Sequence, residues 1–162
     1  MKVDTVVFDL DGTVVDTLSG TTRTLNIALR SYVLMEFTDD ETREHIGLGD
    51  NALVCAALRK SEASPDLAGE VQEAYLRAYA ADPGHLAVVH PGAEVLLKRL
   101  RARGVRLALC TNKSSRITGG MLRTPGLDGA FDAVVSGDEL PTANRIRGIC
   151  WKRSAARVAR RR

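Results

Sequence analysis

A chain of 162 residues can form one domain with a substantial core, or a core with a small insert, and is too short for two full-sized domains. Its formal charge of +3 suggests a nucleic-acid partner until the charge is located: residues 143–162 hold eight Lys or Arg and no acid, leaving 15 basic against 20 acidic side chains, a net −5, in residues 1–142. No stretch approaches the roughly 20 apolar residues of a membrane span, and Met1-Lys2-Val3-Asp4 puts a carboxylate where an apolar leader would begin, so a cytoplasmic protein is expected.

Val3 to Phe8 is an apolar, β-branched run ending at Asp9, the pattern of a buried strand followed by a polar loop. Leu18, Leu25, Ala28, Leu29 and Tyr32 then share one helical face. Residues 39–46 and 50–60 read as shorter helices separated by Gly47-Leu48-Gly49. Ser64-Pro65-Asp66 starts a further helix, whose stripe is Leu67, Val71, Ala74, Tyr75 and Ala78. Residues 17–82 are therefore expected to form an all-helical insert.

After Asp82-Pro83-Gly84 the pattern changes. Pro91 opens a helix expected to bury Val95, Leu96, Leu97 and Leu100, and Gly104 caps it. Val105 to Cys110 is a second apolar strand, ending in Thr111-Asn112. A helix near 115–123, a turn at Pro125-Gly126 and the strand Phe131 to Val135 follow. Alternating strands and helices at this spacing predict an α/β fold with a parallel sheet, its core formed by residues 1–16 and 83–142. Functional groups gather at the carboxyl ends of such strands, where Asp9, Thr111 and Asp138 stand. Cys55, Cys110 and Cys150 are odd in number with no C-x-x-C pair, and read as incidental thiols.

Asp9-Leu10-Asp11-Gly12-Thr13 carries the most chemistry. Two carboxylates two residues apart, just past a buried strand, point the same way if the chain stays extended. Around a bound Mg2+ they can divide phosphoryl transfer between them: one attacks phosphorus as a nucleophile, the other protonates the leaving alkoxide and later activates water. A hard cation with oxygen ligands offsets the repulsion between nucleophile and phosphate dianion. Gly12 permits the tight turn that follows.

From Phe8 through Thr17 the chain resembles the first motif of haloacid dehalogenase superfamily phosphatases, and Asn26 suits their capped subgroup. The resemblance implies a Rossmann-like core with a helical cap inserted after the first strand, Asp9 as nucleophile and Asp11 as general acid and base. The Asp9 carboxylate and the Asp11 backbone carbonyl would be ligands of Mg2+. The true dehalogenases usually lack an acid at the position of Asp11, so phosphate is the expected chemistry. Leu109 to Lys113 resembles the second motif, with Thr111 donating to phosphate and the Asn112 amide beside it; Lys113 lies close by, its direction not set by the sequence. Ile46 to Leu53 resembles the cap signature of phosphoglycolate phosphatases, in which Gly47 and Gly49 place backbone amides over the substrate. His45, His85 and His90 show no ligand spacing. The implied partner is a small phosphorylated metabolite, with neither nucleic acid nor membrane. Sugar-phosphate mutases and pyrophosphatases share the two motifs and are the alternative members.

The family next places a Lys in a Lys-Pro-Asp-Pro context, a few residues past Asp-x-Leu-Pro, and then a late acidic pair. Asp138-Glu139-Leu140-Pro141 is present; the Lys context and the pair are not. Asp138 precedes the place of the Lys and is not that pair. Reading the tail codons from their third bases, the junction Ala143 to Asn144 can give Lys, and the next four can give Pro, Asp, Pro and Gly. Cys150 to Trp151 must then give Leu, and Trp151 to Lys152 must give Glu. The tail 143–162 is accordingly expected to be out of frame and disordered, and the chain as written is expected to show little or no turnover.

Overall fold

The computed structural model describes residues 3–81, 87–123 and 126–139. The break expected at 82–84, Pro125 of the expected turn, and Leu140, Pro141 and the basic tail lie outside them. Strand β1 (Thr5–Phe8) leads through a tight turn into the short β2 (Val15–Asp16). Four helices follow: α1 (Leu18–Ser31), α2 (Asp39–His45), α3 (Asp50–Lys60) and, after a 3-10 turn at Pro65–Leu67, α4 (Ala68–Ala81). The chain returns through β3 (Val88–Val89), then runs α5 (Ala93–Ala102), β4 (Arg106–Cys110), α6 (Ser115–Met121) and β5 (Ala133–Val135).

Among the described residues the main sheet has the order β1-β4-β5, all parallel, with Phe8 beside Leu109 and Cys110 beside Val135. The alternation of apolar strands and helices gives this sheet for the expected reason: a strand buried on both faces needs a helical crossover to its parallel neighbour. The insert and the sheet share one core, in which Leu25, Leu29, Val54, Val71 and Tyr75 join Leu107, Leu109, Ile117 and Met121. At the base of the insert, β2 and β3 pair antiparallel, Val15 with Val89 and Asp16 with Val88, tying its entry to its exit.

Local signals explain the insert's elements. Thr38 caps α2 in a reciprocal box: its side chain accepts from the Glu41 amide, and the Glu41 carboxylate accepts from the Thr38 amide. Asn26 bonds both ways with the Phe37 backbone, each at 2.8 Å, fastening α1 to the segment before α2.

One expectation is corrected. Val95 and Leu96 are not buried; they are 52% and 48% exposed. α5 meets the core along Ala93, Leu97 and Leu100, a stripe at spacings of four and three, and the other two positions turn away from it. Cys55 is a free thiol, as expected. No helix among the described residues is long and apolar enough to cross a membrane.

Candidate active site

The register sets the site. Because Phe8 pairs with Leu109, the loops after β1 and β4 leave the sheet side by side, Asp9 on one and Thr111 on the other. Asp9 is exposed at the strand tip. Asp11 turns inward, and its Oδ1 receives two donors, the Thr17 hydroxyl at 2.6 Å and the Lys113 ammonium at 3.3 Å. Both side chains of the ion pair are almost fully enclosed, at 3% exposure for Lys113 and 5% for Asp11.

Lys113 is the residue whose direction the sequence left open, and the structure turns it into the site. It lies 5.3 Å from the centre of the Tyr79 ring. Burial by itself would depress the Lys113 ammonium, but the Asp11 carboxylate, with Tyr75, Tyr79 and Asp50 behind it, outweighs burial and holds the group well above the usual lysine value. Its position on a strand-end loop two residues past Thr111 was the available signal. Its burial depends on tyrosines of α4, far away in sequence.

Thr111 is buried at 2% exposure, and its hydroxyl oxygen accepts the Lys113 backbone amide at 3.1 Å, which leaves the hydroxyl proton for another acceptor. Asn112 donates through Nδ2 to the Gly47 carbonyl at 2.8 Å, so the insert's turn is seated on this loop. Gly49, at φ +96°, comes so close that a side-chain carbon there would stand 3.2 Å from the Asn112 carbonyl. Asp50 spans the same junction, its Oδ2 accepting the Ser114 amide at 3.0 Å. From the other side Gly137 packs against Asn112 so tightly that a Cβ would lie 2.2 Å from its carbonyl oxygen. Asp11, Thr111, Asn112, Gly47 and Gly49 are thus brought into one neighbourhood through Lys113 and the β4 loop. Asp138 has another task, since its two carboxylate oxygens accept the Ser115 amide and hydroxyl at the start of α6.

A cleft runs between sheet and insert, lined by Asp11, Thr21, His45, Gly47, Gly49, Asp50, Tyr75 and Lys113. Among the described residues no group of three or more His, Cys, Asp or Glu stands together as a metal cage. The donors at the tip of β1 are oxygens, the chemistry of a hard divalent cation rather than of zinc.

A parallel sheet with acids at the tip of its first strand, and a helical insert following that tip, define a Rossmann-like α/β core with an inserted helical unit. The chain belongs to the haloacid dehalogenase-like hydrolase family, whose model matches residues 6–145. It is 39% identical over 138 residues to a phosphoglycolate phosphatase of Cereibacter sphaeroides, covering 84% of this chain and 63% of that one. It is 38% identical over 141 residues to the phosphoglycolate phosphatase of Rhodospirillum rubrum, covering 83% and 58%. The chain thus spans about three fifths of the length of these relatives. The fold is that of the solved CbbY from Rhodobacter sphaeroides in complex with phosphate, at a TM-score of 0.82 and 20% identity over 98% of this chain and 73% of that one. A predicted phosphoglycolate phosphatase from Haemophilus somnus 129PT gives 0.76 and 24%, covering 87% and 65%.

Proposed function

We infer that the whole protein is a magnesium-dependent cytoplasmic phosphatase of small phosphate monoesters, with 2-phosphoglycolate the leading substrate and a small phosphorylated metabolite its only partner class. The observation that carries this reading is Asp9-x-Asp11 at the tip of β1, next to the Thr111–Lys113 loop, in a chain 39% identical to a phosphoglycolate phosphatase. Residues 17–82 act as the cap, and 1–16 with 83–142 as the core.

In this reading an Asp9 oxygen attacks phosphorus and the ester P–O bond breaks, leaving phosphate on Asp9. Asp11 gives its proton to the departing alkoxide, then takes one from the water that attacks the phosphorus and frees Asp9 with inorganic phosphate. The pair of donors on Oδ1 fixes the Asp11 carboxyl, so that Oδ2 is the oxygen left to exchange the proton. The Thr111 hydroxyl and the Asn112 amide hold phosphoryl oxygens. The Asp9 carboxylate and the Asp11 carbonyl would hold Mg2+, which would supply positive charge between the nucleophile and the phosphate dianion. The Gly47-Leu48-Gly49 turn covers the substrate.

The 162-residue chain assayed by itself is expected to turn over little, because the lysine and late acids that the family uses are not in it. The same gene continued in the shifted frame is expected to release phosphate from 2-phosphoglycolate in Mg2+, and Asp9→Asn to lower kcat by a factor of about 10^4 or more. Phosphate release measured on the three proteins decides this. Full activity of Asp9→Asn would end the reading, and an unbroken reading frame on resequencing, with no Lys-Pro-Asp-Pro, would end the frameshift.

A further inference from the structure

We propose that Asp138, from the turn after β5, is a positioning residue of the phosphate site, aiming the Thr111 hydroxyl by fixing the far end of the loop that carries it. The inference rests on the phosphatase reading and adds a residue which that reading does not use.

Pairing between β4 and β5 ends at Cys110 and Val135, so the loop 111–115 leaves the ladder with backbone groups still to be satisfied. The start of α6, where that loop finishes, is not capped by its own residue. Ser114 stands at the N-cap, yet its hydroxyl makes no cap bond and is buried without a partner among the described residues. Two acids from other elements cap the helix instead. Asp50 of the insert takes the Ser114 amide at 3.0 Å. Asp138 takes the Ser115 amide on one carboxylate oxygen and the Ser115 hydroxyl on the other, both at 2.8 Å.

The turn that bears Asp138 is closed on itself and pressed against the loop. The Glu139 carboxylate accepts the Ser136 amide at 2.8 Å. The Gly137 amide donates to the Lys113 carbonyl at 2.9 Å, and Gly137 leaves no room for a side chain against Asn112. From here the path to Thr111 is short. The Thr111 hydroxyl oxygen accepts the Lys113 amide, so the direction left for its proton is set by the Lys113 backbone. That backbone is held on its far side by Gly137 and by the two bonds between Asp138 and Ser115. The insert supplies its own holds, Gly47 on Asn112 and Asp50 on Ser114, whereas Gly137 and Asp138 are those that follow from β5.

An acid can serve here without repelling the phosphate it helps to place. Asp138 is exposed, so water and salt screen its charge from an anion at Thr111, and both its oxygens are engaged by Ser115. Its effect is therefore carried by the backbone it fixes.

The test is a titration of the 162-residue chain with inorganic phosphate in Mg2+, followed by NMR through the backbone amides of Thr111 and Asn112. It is repeated on Asp138→Ala, Asp138→Asn and Asp132→Ala. Asn keeps an acceptor for the Ser115 amide and removes the charge. Asp132 is the control, because its carboxylate accepts the Leu107 amide at 2.8 Å at the opposite end of β4. Asp138→Ala is expected to weaken phosphate binding about fivefold or more, the usual worth of a lost cap, and the other two variants to weaken it less than about twofold. In thermal unfolding Asp132→Ala should lose at least as much as Asp138→Ala, since it also gives up its ion pair with Arg101, so lost stability by itself would not single out Asp138. Unchanged binding in Asp138→Ala, or equal weakening in Asp138→Ala and Asp132→Ala, overturns the positioning role and leaves the phosphatase reading standing. Tighter binding in Asp138→Ala, as relief of repulsion would give, does the same. If the unaltered chain binds no phosphate, the phosphatase reading falls and the role of Asp138 with it.

Discussion

A lysine enclosed to 3% exposure is tolerable in a fold only if its charge is matched, and Asp11 at 3.3 Å provides the match. Removing the cation leaves an almost buried carboxylate uncompensated, so Lys113→Met is expected to cost about 3 kcal/mol in urea unfolding. A loss below about 1 kcal/mol would mean that the pair is held far less tightly than described. Gly137 gives a second test of the same loop. A Cβ placed 2.2 Å from the Asn112 carbonyl oxygen meets backbone, not a flexible side chain, so Gly137→Ala must push the 111–114 loop away. A loss of about 2 kcal/mol is expected, with Gly129→Ala, which meets nothing within 4 Å although it sits at φ +61°, as the milder comparison. At this scale Asp9, Asp11 and Thr111 were legible in the sequence because each stands at the end of a short apolar strand. Lys113, Tyr75 and Thr21 were not, since a lysine or hydroxyl acquires its meaning only from what is packed around it.

The helices of the insert depend on their ends as much as on their stripes. Thr38→Ala removes the reciprocal box from α2 and is expected to cost about 1 kcal/mol. The Lys60 ammonium, and after it the Thr38 amide, hold the Glu41 carboxyl below its ordinary 4.5. A depressed carboxyl stabilises the fold above the unfolded value and loses that contribution as pH falls through the folded one. The difference in stability between the native chain and Glu41→Gln should therefore be constant above pH 4.5 and shrink below it, as denaturation across that range would record. On α5 the stripe of Ala93, Leu97 and Leu100 decides which apolar residues matter. Val95→Glu with Leu96→Lys is expected to change stability by about 0.5 kcal/mol or less while raising the soluble fraction on expression. A fall of several kcal/mol would restore the burial first expected for them. Runs of apolar residues give a helix readily, but the face it hides has to be taken from the spacing, and four neighbouring candidates cannot all lie on one stripe. β2 and β3 escaped the sequence altogether, being two residues each and too short to show an alternation.

For the molecule as a whole, the alternation of strands and helices disclosed a parallel sheet, but the order β1-β4-β5 required coordinates. Among the described residues no strand lies outside β1, whose outer backbone groups are open to pairing with a neighbour. The 162-residue chain is accordingly expected to associate as its concentration rises, which light scattering would follow, and the chain continued in the shifted frame to associate less. A monomer at all accessible concentrations would show that β1 is covered. The ribbon at the base of the insert bears on how this sheet is reached at all. Phe8 and Leu109 are roughly 100 residues apart along the chain, a separation at which parallel pairing is slow because closing so long a loop costs entropy. Once the four helices have collapsed and Val15 has met Val89, the remaining detour between the two strands shrinks to the short arms on either side of that crossing. The insert then works as a folding shortcut: disrupting Val15–Val89 should slow the appearance of the sheet more than it weakens the finished one.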